Sequence, residues 1–473
     1  LASPANNPPR LIGLLVLLAA SLLALASARD YAGSWNDGSR LAAVESLVDY
    51  HTFQIDRSIF VHVPRRPGAS PYGNEPTLNR YGTRDVVRIN GRIYSSKPPV
   101  QALLMAALYA GAKLAIGLDA RQSPRLFCYL MTVLTSGLAY ALAIWCIFRI
   151  GLEVGLDWRH SATLAGSAAL TTVAIAYVQA VNNHIILLAV ASGVILNILR
   201  FLGARRSGRT GNEPLFLIGA LSGLGYAMEQ GSGMVLLAAA LIWTIYRTRS
   251  LGRLSLFTAA AAPWVAAHHA LTFALGHTVR PLNSVRAFDA FPGSAFSSGD
   301  MTGIFIHRSI FKTAGYALGM LFGPRGFIGH NLTLYLALVA ICLMLRNADG
   351  DLPELVFAGC YAGGTWILYS LFSSNYSGLC CSIRWFVPLL APGYYVLARF
   401  LKEQPEYWPD FLILSGWGLV FAVFFWWQGP WSSRFVFLCL PLQGLALASW
   451  AAWRLPRLGL AHLPTLPHGI RQA

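Results

Sequence analysis

The sequence predicts an all-α polytopic membrane protein of about 11–13 transmembrane helices, with amphipathic juxtamembrane helices in its outer loops. Three observations carry that expectation. Of 473 residues, 55% are hydrophobic and only 12% charged, about half the charged fraction of a soluble globular protein. Apolar runs of about 20 residues, each long enough to cross a bilayer, recur along the chain, and mean hydropathy is +0.51. Most basic residues stand in the short loops between those runs, which is the distribution that orients membrane helices.

The formal net charge of +16 therefore reads as a membrane orientation signal, and no aromatic-plus-basic module points to nucleic acid as a partner. Seven cysteines are present. Most lie inside apolar runs as small hydrophobes, and no C-x-x-C spacing suggests zinc or redox chemistry.

The first run, "LIGLLVLLAASLLALASA", follows Arg10 and ends in small residues that resemble a signal-peptidase site. A retained helix is favoured because many spans follow, and both readings put residue 30 onward outside. Further runs lie near 98–118, 125–149, 161–180, 185–203, 214–246, 254–275, 328–346, 353–373, 382–401, 408–427 and 432–453. Basic clusters at Arg149/Arg159, Arg200/Arg205/Arg206/Arg209, Arg247/Arg249/Arg253, Arg346, Arg399/Lys402 and Arg454/Arg457 mark the inner side. The loops "QAVNNH", "NYSGLCCSIRW" and "QGPW" are poor in Lys and Arg and fall outside. This scheme needs 214–246 to be a hairpin with its tip near "MEQGSG". It also needs 98–118 to lie shallowly or re-enter, unless a further crossing exists.

The chain reads as one transmembrane domain over 1–473, with long outer loops at 29–97 and 276–327. The second loop contains "FDAFPGSAFSSGDMTG" and an interfacial helix around "FIHRSIFKTAGYALGMLF". Long loops on a helical scaffold are where binding and chemistry concentrate. In the first loop, Leu41, Val44, Leu47 and Val48 recur at helical spacing and suggest an amphipathic surface helix. Asp37 stands at its start with Arg40 three residues on; a helix cap is the plain alternative for Asp37. Lys97 precedes two prolines that fix a sharp entry into the next helix. It is either a snorkelling anchor or a binding group.

The stretch "NDGSRLAAVESLVDYHTFQID" followed by "YSSKPP" resembles the first outer loop of GT-C superfamily glycosyltransferases, akin to the aminoarabinose-lipid A transferases and protein O-mannosyltransferases. The resemblance is specific over about 37–99 and otherwise covers the chain in outline. It implies transfer of a sugar from a polyprenyl-phosphate donor to a glycan, lipid or protein acceptor, at the outer face of a bacterial inner membrane. By the same resemblance, Asp37 matches the catalytic aspartate, Lys97 the lysine near the lipid phosphate, Arg40 the arginine after the aspartate, and Tyr94 opens the Tyr-x-x-Lys-Pro motif. The chain departs from relatives that carry Asp-Glu at the first motif and an acid before the lysine: it has Asp37–Gly38 and Ser96. No cofactor is implied and a divalent metal is not indicated.

The chemistry stands on the residues as well. An acceptor hydroxyl needs a carboxylate base, and a leaving phosphate needs cations; Lys97, Arg40 and Arg384 qualify. Arg384, in "SSNYSGLCCSIRWFVPLLAPGY", sits where an outer loop meets a helix and suits phosphate or sugar binding. Asn182, Asn183 and His184 border the same space, with helix capping an equal alternative. Glu229 and Gln230 lie at the hairpin tip. Gly219 and Gly223 have the small-x-x-x-small spacing of closely packed helices, and His268–His269 read as structural. A transporter or flippase of a lipid-linked or small polar substrate is the runner-up, and a glycan polymerase or ligase a third reading. Intramembrane charge is sparse and polar residues gather on one face, which favours the enzyme.

Overall fold

A computed structural model describes residues 8–66, 68–296, 307, 309–346 and 352–461. The end of "FDAFPGSAFSSGDMTG" and the start of the interfacial stretch lie outside the described residues. Helix α1 (Pro8–Ser27) leads into a long segment holding α2 (Trp35–Asp49), α3 (Pro76–Tyr81) and an antiparallel hairpin of β1 (Val86–Ile89) and β2 (Arg92–Ser95). Then come α4 (Pro99–Ile116), α5 (Pro124–Thr132), α6 (Leu138–Val154), α7 (Trp158–Leu170), α8 (Ala174–Tyr177) and α9 (Asn183–Arg206). The hairpin α10 (Asn212–Met228) and α11 (Ser232–Thr248) precedes α12 (Leu251–Gly276) and a second long segment with α13 (Arg286–Asp289). The chain closes with α14 (Ile310–Phe322), α15 (Phe327–His330), α16 (Thr333–Arg346), α17 (Leu352–Phe372), α18 (Leu390–Glu403), α19 (Trp408–Gln428) and α20 (Val436–Ala461).

The protein is an all-α polytopic membrane protein. Among the described residues, seven helices are long and apolar enough to cross a membrane, or up to eight if a bent pair counts as one span. That is fewer than the expected count, because several apolar runs are broken. The 161–180 run splits into α7 and α8, and the 382–401 run opens with a 3-10 turn from Arg384 to Leu389 that contains Pro388. The 214–246 run is the expected hairpin, turning at Glu229–Gly231. Helix α14 leaves Ile310, Phe311 and Leu318 exposed, and the stretch Ile310–His330 meets Thr333–Leu345 at 105°.

Two ends of the bundle are chemically distinct. At one end, Arg29 N–H donates to Gln179 O (3.0 Å) and Cys381 N–H to Pro430 O (2.9 Å), so the first long segment meets the turns before α9, after α17 and after α19. At the other end, Glu153 meets Arg149 (3.4 Å) and Arg200 (3.8 Å), and Arg247 meets Glu354 (3.2 Å). The basic clusters and the cation-poor loops therefore separate as the sequence pattern requires.

Helix α4 packs along the first long segment. It runs beside α2 from Gln101, bonded to Arg40 (3.0 Å), to Lys113, paired with Asp49 (2.5 Å). The loop after it returns to the first segment, where Arg121 approaches Glu45 (3.6 Å). Both ends of α4 are thus tied to the first long segment. Helix α2 differs from expectation: Asn36 to Ser46 are buried on every side, so it is the core of this segment and not an amphipathic surface helix. The aromatic residues Phe60, Tyr72, Tyr109 and Phe127 close over it.

Five cysteines are buried and free, while Cys342 and Cys360 are exposed on α16 and α17. The Gly219/Gly223 pair lets α10 touch the backbone of α12. A Cβ at Gly219 would stand 2.4 Å from Phe257 O, and one at Gly223 2.5 Å from Ala261 O. Gly219→Leu is expected to separate these helices and destabilise the protein by about 1–3 kcal/mol or more, read as a lowered thermal midpoint in detergent. Gly252→Leu, with open space around the added side chain, is the control.

Candidate functional site

A cavity of about 1260 Å³ opens between the first long segment, the tip of the α10–α11 hairpin, α13 and the 3-10 turn at Arg384. Arg40, Lys97, Arg280, Arg286 and Arg384 line it, against the three carboxylates Asp85, Glu229 and Asp289. An excess of cations in a hollow of this size suits an anionic ligand.

The β1–β2 register builds the first part. Val86 pairs with Ser95, which sets Asp85 beside Ser96 and Lys97. Lys97 forms a salt bridge with Asp85, and Ser96 Oγ donates to Asp85 Oδ1 (2.5 Å). Lys97 N–H donates to Ser95 Oγ (3.2 Å), while Pro98 and Pro99 begin α4 directly behind. Burial alone would raise the Asp85 carboxyl, but Lys97 and then Ser96 hold it below the usual range. Burial draws the Lys97 ammonium below an ordinary lysine, against the pull of Asp85.

Arg40 organises the second part. Its Nε donates to Gln101 Oε1 (3.0 Å), Nη1 to Asn36 O (3.0 Å) and Nη2 to Asn183 Oδ1 (2.5 Å). Burial lowers its pKa to about 10, so the guanidinium stays charged. Asn183 Nδ2 continues the chain to Glu229 Oε2 (2.9 Å), which also meets His184 Nδ1 (2.9 Å). Tyr369 OH donates to the other Glu229 oxygen (2.5 Å). Asn182 is the N-cap of α9, accepting from Ile185 N–H (3.1 Å). Within "VNNH", capping and cavity lining thus fall to neighbouring residues.

Arg384 reaches the cavity from the turn before α18. Its guanidinium lies 5.6 Å from the Trp431 ring centroid, and its buried Nε has no hydrogen-bond partner among the described residues. A buried, unsatisfied N–H is costly. Asp289, on α13, lines the cavity with its carboxyl free of hydrogen bonds and ion pairs among the described residues. Burial and then Asp85 push it up to about 6, against Lys97. His268 and His269 also line the wall, where His269 is bonded to Tyr226 OH (2.8 Å). No group of three or more His, Cys, Asp or Glu side chains suited to a metal ion occurs among the described residues.

Of the residues singled out in the sequence, Lys97, Arg40, Arg384, Asn183 and His184 share this cavity. Asp37 and Tyr94 do not line it. Asp37 closes a capping box at the start of α2. It accepts from Gly33 N–H (2.8 Å), Ser34 N–H (2.8 Å), Ser34 Oγ (2.6 Å) and Trp431 Nε1 (3.2 Å), and is 1% exposed. Burial raises its pKa against these donors. Both oxygens hold donors here, which realises the capping role that was the plain alternative for Asp37. Tyr94 faces Val87, Ile89 and Leu282 in a small apolar cluster. Asp85 and Asp289 went unnoticed because each lacks a motif. For Asp85 the signal was available: the turn "RINGRIY", with Asn90 and Gly91 both at positive φ, is a hairpin signature that folds Asp85 back onto Lys97.

No family model matches the sequence, and no curated protein matches it. Solved structures do match the fold. ArnT from Cupriavidus metallidurans bound to undecaprenyl phosphate aligns with a TM-score of 0.51 and 14% identity, covering 97% of this chain and 82% of that one. The same protein in the apo state gives 0.50 and 15%, covering 93% and 74%. The apo oligosaccharyltransferase of Archaeoglobus fulgidus gives 0.43 and 14%, covering 92% and 56%. The fold and cavity define a polytopic membrane protein with an anion-suited site at one end of its helical bundle. Its fold is that of ArnT.

The Lys97–Asp85 pair makes a direct test. Asp85→Leu leaves a largely buried ammonium unpaired, and Lys97→Met a largely buried carboxylate; each is expected to cost about 3 kcal/mol, whereas the Asp85→Leu/Lys97→Met double should cost less than either single change. Thermal unfolding of the three variants in detergent measures the cycle; additive losses would show that the pair is not coupled.

Proposed function

We propose that this protein is a glycosyltransferase that moves a sugar from a polyprenyl-phosphate donor to an acceptor hydroxyl. The observation that carries the reading is the convergence of Lys97, Arg40 and Arg384 on one cavity, with the Arg384 Nε–H unpartnered. ArnT, whose fold this chain shares, was solved with undecaprenyl phosphate. The cavity lies at the end of the bundle opposite the basic short loops, and the positive-inside pattern supports an outer-face site. A donor there keeps its polyprenyl tail in lipid and its phosphate among the cations. Polar groups gather at that end and not near the midplane between repeated halves, which speaks against a transporter.

The reaction is a single inverting displacement. The acceptor oxygen attacks the anomeric carbon, the bond from that carbon to the phosphate oxygen breaks, and the polyprenyl phosphate leaves with the electron pair. Lys97 and Arg384 stabilise the charge it gains. Asp289 takes the acceptor proton: it is the cavity carboxyl without a competing partner among the described residues, and its pKa of about 6 leaves it unprotonated at neutral pH. Asp85 keeps Lys97 oriented and charged. Asp37 fixes the start of α2 and so the direction of Arg40. The three cations supply the charge a metal would otherwise bring, so the reaction is metal-independent.

Release of free polyprenyl phosphate from a panel of polyprenyl-phosphate sugars, with envelope extract as acceptor source, tests the reading. Asp289→Asn is expected to lower turnover by about 10²–10⁴-fold, with undecaprenyl phosphate binding unchanged. Full turnover in that variant alongside its loss in Asp37→Asn would return the base to Asp37. Wild-type kcat/KM should fall as pH drops through about 6, because the protonated carboxyl cannot accept a proton. Turnover should persist in EDTA.

A further inference from the structure

A second hollow of about 720 Å³ lies directly behind one wall of the cavity. The wall is thin: Asp85 lines the cavity, while its neighbours Arg84 and Val86 line the hollow. On the other side, Asp289 belongs to the cavity and Phe291–Gly293 to the hollow. Arg84 Nη1 donates to Gly293 O (2.8 Å) and clasps the two strips together.

The hollow holds Arg65, Arg80, Arg84, Arg88 and His62 and no acidic residue. None of the four guanidiniums pairs with a carboxylate among the described residues. Aromatic rings hold three of them without neutralising them. Arg80 and Arg84 stand 5.0 and 5.4 Å from the Tyr81 centroid, and Arg88 stands 5.0 Å from that of Phe291. Four like charges gathered in one concavity repel one another. Guanidiniums present paired N–H donors that match phosphate, so a polyanion both relieves the repulsion and fills the donors.

We infer that this hollow binds the phosphate groups of the acceptor, which is therefore a polyanionic glycan or glycolipid, and that it holds the acceptor hydroxyl at the cavity wall. The inference rests on the glycosyl-transfer reading of the cavity. Arg84 serves both as clasp and as ligand, whereas Arg65, Arg80 and Arg88 are exposed and make no hydrogen bond among the described residues.

The test uses the whole chain in detergent, as wild type and as the triple variant Arg65→Gln/Arg80→Gln/Arg88→Gln. Calorimetric titration with sodium tripolyphosphate should show affinity about tenfold or more weaker in the variant, with undecaprenyl phosphate affinity the same within about twofold. Equal tripolyphosphate affinity in the two proteins overturns the site. A loss confined to binding of phosphatidylglycerol vesicles, with tripolyphosphate unaffected, assigns the arginines to the membrane surface and overturns it too. In the transfer assay, acceptor activity from envelope extract should be retained on an anion exchanger; acceptor activity in the unbound fraction overturns the polyanion. Failure of the glycosyl-transfer reading looks different: wild type then neither binds undecaprenyl phosphate nor releases it from any donor, while the tripolyphosphate titrations still report on the hollow.

Discussion

A single buried guanidinium holds the functional end together. Arg40 is 3% exposed and cannot give up its charge, so each of its N–H groups must find an acceptor inside the protein. It finds Asn36 in α2, Gln101 in α4 and Asn183 in α9. Asn183 passes the connection to Glu229, and Glu229 to Tyr369 on α17. Five elements distant in sequence are thereby fixed around one cavity. Each link is charge-assisted or carries a buried polar group that would be costly to leave unpaired.

The same requirement separates two roles that a linear motif merges. Asp37 and Lys97 belong to one sequence motif, yet Asp37 accepts from the Gly33 and Ser34 N–H groups just before α2 and from the Ser34 hydroxyl. Lys97 takes its counter-charge from Asp85, delivered by the β hairpin. The cations that remain short of partners, above all Arg384, face the open volume. A site that is incomplete without its ligand is thus assembled from segments that are themselves complete.

The placement of α4 follows from the same kind of contact. An apolar helix of 18 residues has the length of a span. Lys113 and Asp49 at one end, and Arg40 and Gln101 at the other, hold it alongside α2. Lying there, it carries Pro98 and Pro99 up to the cavity and aims Lys97 into it. The buried α2 beneath then acts as the floor of the site, and its small residues (Gly38, Ser39, Ala42, Ala43) let the covering loops approach closely.

What the sequence determined by itself was whatever depends on composition and short-range pattern. Apolar runs and basic loops established the polytopic fold and its two chemically different ends. The spacing of Gly219 and Gly223 foretold the α10–α12 contact, and the cations of the site were legible because Lys97 precedes two prolines and Arg384 interrupts an apolar run. The roles of the aspartates were not. Whether an aspartate caps a helix, pairs a lysine or faces a ligand depends on which N–H groups and charges surround it in space, and Asp37, Asp85 and Asp289 divide those roles among them. The helix count and the packing of α4 were decided in the same way, because an apolar stretch takes its place from the neighbours it packs against. Local chemistry names the groups; long-range packing assigns their partners.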